Sequence, residues 1–366
     1  MEPVKVVTFG EVMIRISALN NLKFRQSLPG QADLTFAGAE ANVAASLSML
    51  GCPTRFVSAL PQHSIADACV GTLRNLNVDT SGILRVNQGR LGIFFVEKGA
   101  NQRPSTVIYD REGASITLVS PAQYPWDAIF EGAQWFHLSG ITPALSRLSA
   151  ETALAAVQKA HEKGLTVSCD LNFRKKLWNW DASCSPRELA RKIMGKILPY
   201  TDILIGNEED AEDILGIKAG NTDVNSGKLD IDRYPSVARE IVRQYPRIRK
   251  VAITLRESIS ASHNNWGAMV YDTAGDFSVF APLFDGQYAP YEIRDIVDRI
   301  GGGDAFAAGL IFGYLDSTLG KSDQDVLSFA EAASCLAHSI YGDFNYSTKE
   351  EVFALMKGDR SGRVKR

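Results

Sequence analysis

Short β-rich apolar runs alternate with helical stretches along most of the chain. Residues 4–9 form a run of the kind buried on both faces of a sheet, ending at Gly10. Residues 39–50, rich in Ala, Leu and Met, predict a helix stopped by Gly51. A strand over 55–59 and a helix over about 65–76 come next. The rhythm continues through 135–139, 151–163, 166–171, 203–205, 207–215, 250–255 and 269–271. Strand and helix alternating at this spacing predict a doubly wound α/β fold, a mostly parallel sheet flanked by helices on both faces.

Two segments break the rhythm. Residues 12–36 are short alternating pieces, such as Met13-Ile14-Arg15-Ile16, separated by Asn, Pro and Gly. Residues 91–110 are strand-rich without a helix and predict a hairpin turning at Gly99-Ala100-Asn101. Together they predict a small antiparallel β lid projecting from the main sheet of one domain spanning 1–366; two ordinary edge hairpins are the alternative. The polar stretch 220–232 predicts a surface insert.

Composition narrows the function. Of 366 residues, 45% are hydrophobic and 22% charged, and the net charge of −3 gives no basic face for nucleic acid or an anionic membrane. No apolar run approaches the roughly 20 residues that span a bilayer. The acidic second residue and short apolar runs of the N-terminus do not read as a secretory signal. Cys52, Cys69, Cys169, Cys184 and Cys335 form no CxxC pair and are odd in number, which fits free thiols in a reducing compartment and predicts a cytoplasmic protein. The five histidines have no zinc-ligand spacing.

The chemistry concentrates at Asp298-Arg299-Ile300-Gly301-Gly302-Gly303-Asp304. A β-rich run, 293–297, precedes it and a helical stretch, 305–315, follows. Consecutive glycines let backbone N–H groups approach a ligand, and with the positive end of the following helix they predict an anion hole suited to phosphate. Asp304 beside that hole is placed to take a proton from a hydroxyl attacking a phosphoryl group; a helix-capping Asp is the plain alternative. A dinucleotide fingerprint fails because Phe306 fills the third glycine position. A P-loop ending at Gly320-Lys321-Ser322 fails because Leu315 stands where its first glycine belongs.

Asp298, Gly301, Gly303 and Asp304 resemble the DxxGxGD signature of the ribokinase-type (PfkB) carbohydrate kinases. Gly38-Ala39-Glu40-Ala41-Asn42 resembles that family's N-terminal substrate motif, and Asn207-Glu208-Glu209-Asp210 its NxxE motif, with Asp in place of the last Glu. The resemblance runs from about residue 4 to 345. It implies a ribokinase-like fold, ATP and Mg²⁺ as cofactors, with a monovalent cation left open, Asp304 as catalytic base, and Gly301, Gly302 and Gly303 as the anion hole. It also implies sugar contacts from Gly38 and Asn42, and Asn207 near the ATP phosphates with Gly301 and Gly303. Asp210 would act on the metal through water.

Within the family the details resemble 2-keto-3-deoxygluconate kinases: Ala37-Gly38-Ala39-Glu40-Ala41-Asn42, Gly10-Glu11, Tyr109-Asp110-Arg111, and Asp170-Leu171-Asn172-Phe173-Arg174. This implies transfer of the ATP γ-phosphoryl to the 6-hydroxyl of 2-dehydro-3-deoxy-D-gluconate. A sugar acid calls for a guanidinium partner, and Arg103, Arg111 and Arg174 are the candidates, with Tyr109 covering the sugar. The alternatives are a fructokinase or other ribokinase-type sugar kinase, and a non-catalytic sugar-acid-binding regulator; an intact DxxGxGD speaks against the last. Phe94 stands where those kinases often carry a substrate-facing tyrosine. Thr254-Leu255-Arg256-Glu257-Ser258 replaces the usual Thr-x-Gly-x-x-Gly nucleotide loop without its glycines, leaving Thr254 and Arg256 on the ATP side. Ile300 replaces a small polar residue. Related kinases pair lids, which implies a homo-oligomer.

Overall fold

The computed structural model describes residues 3–217 and 231–359. Its main sheet runs, edge to edge, Phe277–Ala281, His263–Asp272, Lys250–Ser260, Ile203–Gly206, Thr166–Asp170, Trp135–Ser139, Val6–Phe9, Thr54–Pro61 and Ile83–Val86. Neighbours from Lys250–Ser260 to Ile83–Val86 are parallel; His263–Asp272 and Phe277–Ala281 add an antiparallel edge.

Both faces are covered, which is why the strands read as unbroken apolar runs. Alternate side chains go to opposite sides. Val7, Phe9 and Leu204 pack with helices Arg147–Glu162, Pro186–Ile197 and Tyr234–Gln244. Val6, Ile203 and Ile205 pack with Ala39–Met49, Gly302–Leu315 and Asp323–Ala337. Local signals set helix starts. Ser185 and Glu188 form a capping box with Pro186 in the first turn. The Ser146 hydroxyl accepts from Ser149 N–H (3.0 Å), which opens that helix four residues before the expected 151.

The two arrhythmic segments form one four-stranded sheet in the order Ala32–Ala37, Met13–Ala18, Gly92–Glu97, Thr106–Asp110. Its outer pairs are antiparallel, as expected of hairpins. Its central pair is parallel, because Met13–Ala18 and Gly92–Glu97 follow directly on strands that are themselves parallel in the main sheet. The hairpin turns where Ala100 and Arg103 bridge, with Asn101 at φ 52°.

Three stretches differ from the sequence reading. Strand 250–255 continues to Ser260 and stays paired with His263–Asp272, since no glycine interrupts it. The run 293–297 is not a strand: pairing covers only Tyr291–Ile293, and the chain then bends with Asp295 at φ 55°. The helix over 207–215 is a single α-turn, Glu208–Asp210, followed by a wider π-turn, Ala211–Leu215, closed by Gly216 at φ 73°. The insert at 220–232 lies almost wholly outside the described residues.

Candidate active site

A cavity of about 690 Å³ opens where the parallel strands end, the position at which doubly wound sheets bind ligands. Strand ends supply Glu11, Asp170 and Asn207 to its wall, and the small sheet faces it with Phe94 and Tyr109. In that sheet Thr35, Arg15, Phe94 and Tyr109 lie in register across the four strands and so share a face.

The glycine turn forms one side. Gly301 has φ 89°, and a Cβ there would sit 2.3 Å from the Asp343 carbonyl. A Cβ on Gly302 would meet the His338 ring at 2.8 Å, whereas one on Gly303 would meet nothing within 4 Å. The first two glycines are thus required by the fold, and the third leaves space in the cavity. Helix Gly302–Leu315 starts here without a side-chain cap, so the N–H groups of its first turn remain available to an anion.

Asp304 is in that first turn and does not cap it. Its Oδ2 accepts from Asn42 Nδ2 at 2.7 Å. Enclosure in the cavity wall pushes its carboxyl up to about 7; the Asn42 hydrogen bond and Arg174 pull the other way, while Asp343 and Glu40 add to the rise. A carboxylate with such a value is poised to take a proton near neutral pH.

Asn42 is fixed by its own helix start, where its Oδ1 accepts from Gly38 N–H (3.2 Å). Its oxygen is thereby occupied, and one Nδ2 hydrogen is directed at Asp304. Gly38 must be glycine, since a Cβ would lie 2.0 Å from the Glu11 carbonyl. Glu40, the acidic residue of the same motif, is buried and pins the helix to the sheet. Its Oε1 accepts from Ser139 N–H (2.9 Å), the Ser139 hydroxyl (2.8 Å) and the Thr142 hydroxyl (2.8 Å).

The arginines separate. Arg111 lines the cavity with its guanidinium 5.4 Å from the Tyr109 ring, and its Nη2 donates to Glu11. Its Nε is buried with no partner, as is Glu11 Oε1. Arg174 is exposed at the cavity, where its charge acts on Asp170, Asp210 and Asp304. Arg103 does not reach the cavity wall; it sits at the hairpin turn and donates to the Asn21 carbonyl, holding the small sheet together. Phe94 is buried in the wall, its ring 6.3 Å from that of Tyr109. Ile300 packs against the small-sheet cluster of Met13, Ala37, Phe94 and Val96, which accounts for an apolar residue before the glycines.

At the other end Asn207 and Asp210 bond reciprocally: Asp210 N–H to Asn207 Oδ1 (2.9 Å) and Asn207 N–H to Asp210 Oδ2 (3.2 Å). Asp210 Oδ1 accepts from Phe173 N–H (2.9 Å). Burial pushes Asp210 up to about 6, and Asp170, half-buried in the cavity wall, is also pushed up by enclosure and by the charges of Asp210 and Asp304. Both Asp210 oxygens are thus held by backbone amides, and among the described residues no group of three or more His, Cys, Asp or Glu side chains could hold a metal directly, so a hard cation here would be reached through water. Thr254 and Arg256 line this end with Trp266 and Arg299.

Sequence reasoning missed Arg15. It is fully buried on the inner face of the small sheet, with Nη2 2.5 Å from Asp298 Oδ2, Nη1 on Asp343, and Nε on the Ser17 hydroxyl (2.9 Å). Arg15 thus ties the small sheet to both flanks of the glycine turn. Asp343, pushed up to about 6 by burial, is near enough to Asp304 for its charge to raise that carboxyl, which links this cluster to Asp304.

Glycines opening a helix start beside a raised carboxylate, at the ends of a parallel sheet partly roofed by a small β-sheet, suit phosphoryl transfer to an alcohol. The pfkB family carbohydrate kinase model matches residues 4–255, and the chain belongs to that family. The match stops within the strand that lacks the nucleotide-loop glycines. A 2-dehydro-3-deoxygalactonokinase of Haloferax volcanii is 31% identical over 98% of both chains. The structure of a 2-dehydro-3-deoxygluconokinase from Thermotoga maritima is 42% identical, with TM-score 0.86, covering 97% of this chain and 100% of that one. A fructokinase-2 of Solanum lycopersicum is 24% identical over 96% of both chains. The protein is thus a carbohydrate kinase, and no helix among its described residues is long and apolar enough to cross a membrane.

Proposed function

We propose that the protein phosphorylates the 6-hydroxyl of a six-carbon 2-dehydro-3-deoxy sugar acid, 2-dehydro-3-deoxy-D-gluconate, using ATP. The reading rests on one observation above others: Arg111, in the cavity wall beside Tyr109, keeps a buried Nε without an acceptor. A buried unpaired donor on a cation costs stability unless a ligand satisfies it, and a sugar carboxylate does so with charge. Glu11 holds the guanidinium through Nη2, on the same edge as Nε, so that edge has a fixed direction. The names of the relatives at 31% and 42% identity agree with an acid sugar. The first of them keeps the galacto epimer in view.

In the reaction, Asp304 accepts the proton of the 6-hydroxyl as its oxygen bonds to the γ-phosphorus and the bond to the β-phosphate oxygen breaks, releasing ADP. Asn42 aims the carboxylate. The N–H groups at 302–304 meet the charge that develops on the transferred group. Asp210, through water, and Asp170 would hold a magnesium ion, which would supply neutralisation of the phosphate charge. The small sheet excludes water, which would otherwise take the phosphoryl.

The small sheet also carries an outward row in register, Leu34, Ile16, Phe95 and Ile108, with Leu34 56% and Ile108 54% exposed. An apolar face of this kind on a thin sheet fits burial against a second copy. A concentration-independent monomer in sedimentation would contradict that pairing.

The test of function is turnover with ATP on 2-dehydro-3-deoxygluconate, its galacto epimer, fructose and ribose, with the phosphorylated position read by phosphorus NMR. An acid sugar is expected to exceed neutral ones by about 100-fold in kcat/KM, the scale of one or two charged hydrogen bonds. Faster turnover of fructose would replace this reading with a fructokinase.

A further inference from the structure

The nucleotide end of the cavity is built unlike a glycine loop. Lys250–Ser260 and His263–Asp272 remain paired through Arg256 opposite Trp266 and Ser258 opposite Asn264, so a two-stranded wall stands where the sequence lacks the glycines of the usual nucleotide loop. Directly opposed residues of such a pair project to the same side. Arg256 and Trp266 therefore share a face, and both line the cavity beside Arg299.

Neither guanidinium has a carboxylate partner among the described residues. Arg299 is held by Asn264 (Nη2 to Oδ1, 2.9 Å), while Glu257, next to Arg256, is engaged by Asn265 Nδ2 (2.9 Å). The two arginines are close enough that Arg256 and burial together hold Arg299 below its ordinary value. Both also act on His338, whose ring lies against Gly302 and 4.9 Å from that of Trp266. The pair is thus next to the anion hole. Two further donors there, Trp266 Nε1 and Asn264 Nδ2, are buried without acceptors, on residues 6% and 1% exposed. Uncompensated like charges beside unsatisfied donors call for an anion carrying more than one charge.

We propose that Arg256 and Arg299, with Trp266, form a polyphosphate-binding site continuous with the glycine turn, and that the triphosphate chain of the phosphoryl donor, not its base, supplies most of the donor's affinity. The proposal rests on the kinase reading for the identity of the donor. It makes the purine a weak discriminator, so GTP and ITP serve within about tenfold of ATP.

Calorimetry on the full chain with ATP, inorganic tripolyphosphate and adenosine tests this. Tripolyphosphate is expected to bind within about tenfold of ATP, and adenosine at least about 100-fold more weakly. Arg256→Ala, an exposed side chain whose loss leaves the fold intact, weakens ATP and tripolyphosphate together by roughly 10–100-fold, the scale of one charge-assisted contact, and Arg256→Lys restores part of it. Arg299→Ala does the same, and sugar-acid affinity stays within about twofold in all variants. ATP binding unchanged in both alanine variants, or adenosine binding as tightly as ATP, overturns the proposal. If the wild type binds tripolyphosphate through these arginines yet phosphorylates no sugar with ATP, the kinase reading falls instead.

Discussion

The two ends of the cavity are wired in opposite ways. At the sugar end the charged groups already have side-chain partners: Asn42 on Asp304 at 2.7 Å, Arg111 on Glu11, Arg15 on Asp298 at 2.5 Å. At the donor end, Arg256 and Arg299 have no such partners among the described residues. A hydroxyl must be presented to one carboxylate oxygen within a few tenths of an ångström, so that end is held by side chains that fix each other. A polyphosphate chain needs charge more than direction, and unpaired guanidiniums supply it. The contrast implies that changes at the sugar end act on turnover, stability and sugar recognition, and changes at the donor end on donor affinity alone.

The largest expected effect is at the sugar end. Asp304→Asn removes the proton acceptor while leaving the glycine turn and helix dipole in place. Turnover is expected to fall about 10²–10⁴-fold, the range of general-base contributions, with ATP affinity within a few-fold of wild type. Near-normal turnover would place the base elsewhere. In the wild type, kcat/KM should rise as pH passes about 7 and level above it, because the ionised carboxylate is the active form.

Arg15→Met comes next. It leaves Asp298 and Asp343 buried together without their shared cation, and breaking a buried pair costs about 3–5 kcal/mol. Chemical denaturation should show this loss. A loss under about 1 kcal/mol would mean that the small sheet is not fastened through Arg15. Adding Asp343→Asn should recover part of the stability by removing one stranded charge.

A smaller effect tests the cost of a poised base. The Asp304 carboxyl is raised from 3.8 to about 7, so the folded state holds its proton more tightly than the unfolded chain. Its protonated form carries no penalty below about pH 4, and stability falls as pH rises through the window from 4 to 7. Since the site opens to solvent, the penalty above pH 7 is about 1–3 kcal/mol. Asp304→Asn should therefore be more stable than wild type at pH 8 and equal to it near pH 4. Equal melting at both values would show that the carboxyl is not raised.

The two kinds of wiring also differ in how legible they are. The glycine turn shows in sequence because its constraints are local: Gly301 needs a positive φ, and Asp304 must fall in the turn that follows. The alternation of buried runs with helices shows for the same reason. Arg15 does not show, because its partners lie 283 and 328 residues away and an arginine in an alternating strand looks like a solvated one. Asp343 is hidden likewise, and Glu11 shows only as part of Gly10-Glu11, not as the partner of Arg111 100 residues away. Arg103, which shares its composition with the true cavity arginines, was separable only by the turn that carries it to the edge of the small sheet. The run 293–297 has strand composition, yet Asp295 and the Asp298 side chain, which accepts from Ile300 N–H (3.3 Å), turn the chain toward the glycines instead.

The account turns on recognition of an acid at the sugar end, and the most direct measurement is the ratio of kcat/KM for 2-dehydro-3-deoxygluconate to that for fructose, in wild type and Arg111→Ala. Loss of the guanidinium should raise KM for the acid by roughly 10–100-fold and leave any neutral ketose nearly unchanged, so the ratio collapses; Arg111→Lys should recover only part, since an ammonium cannot make the two-pronged contact. If Arg111→Ala weakens acid and neutral sugars equally, Arg111 only secures Glu11 and the small sheet, and the assignment of an acid substrate is contradicted.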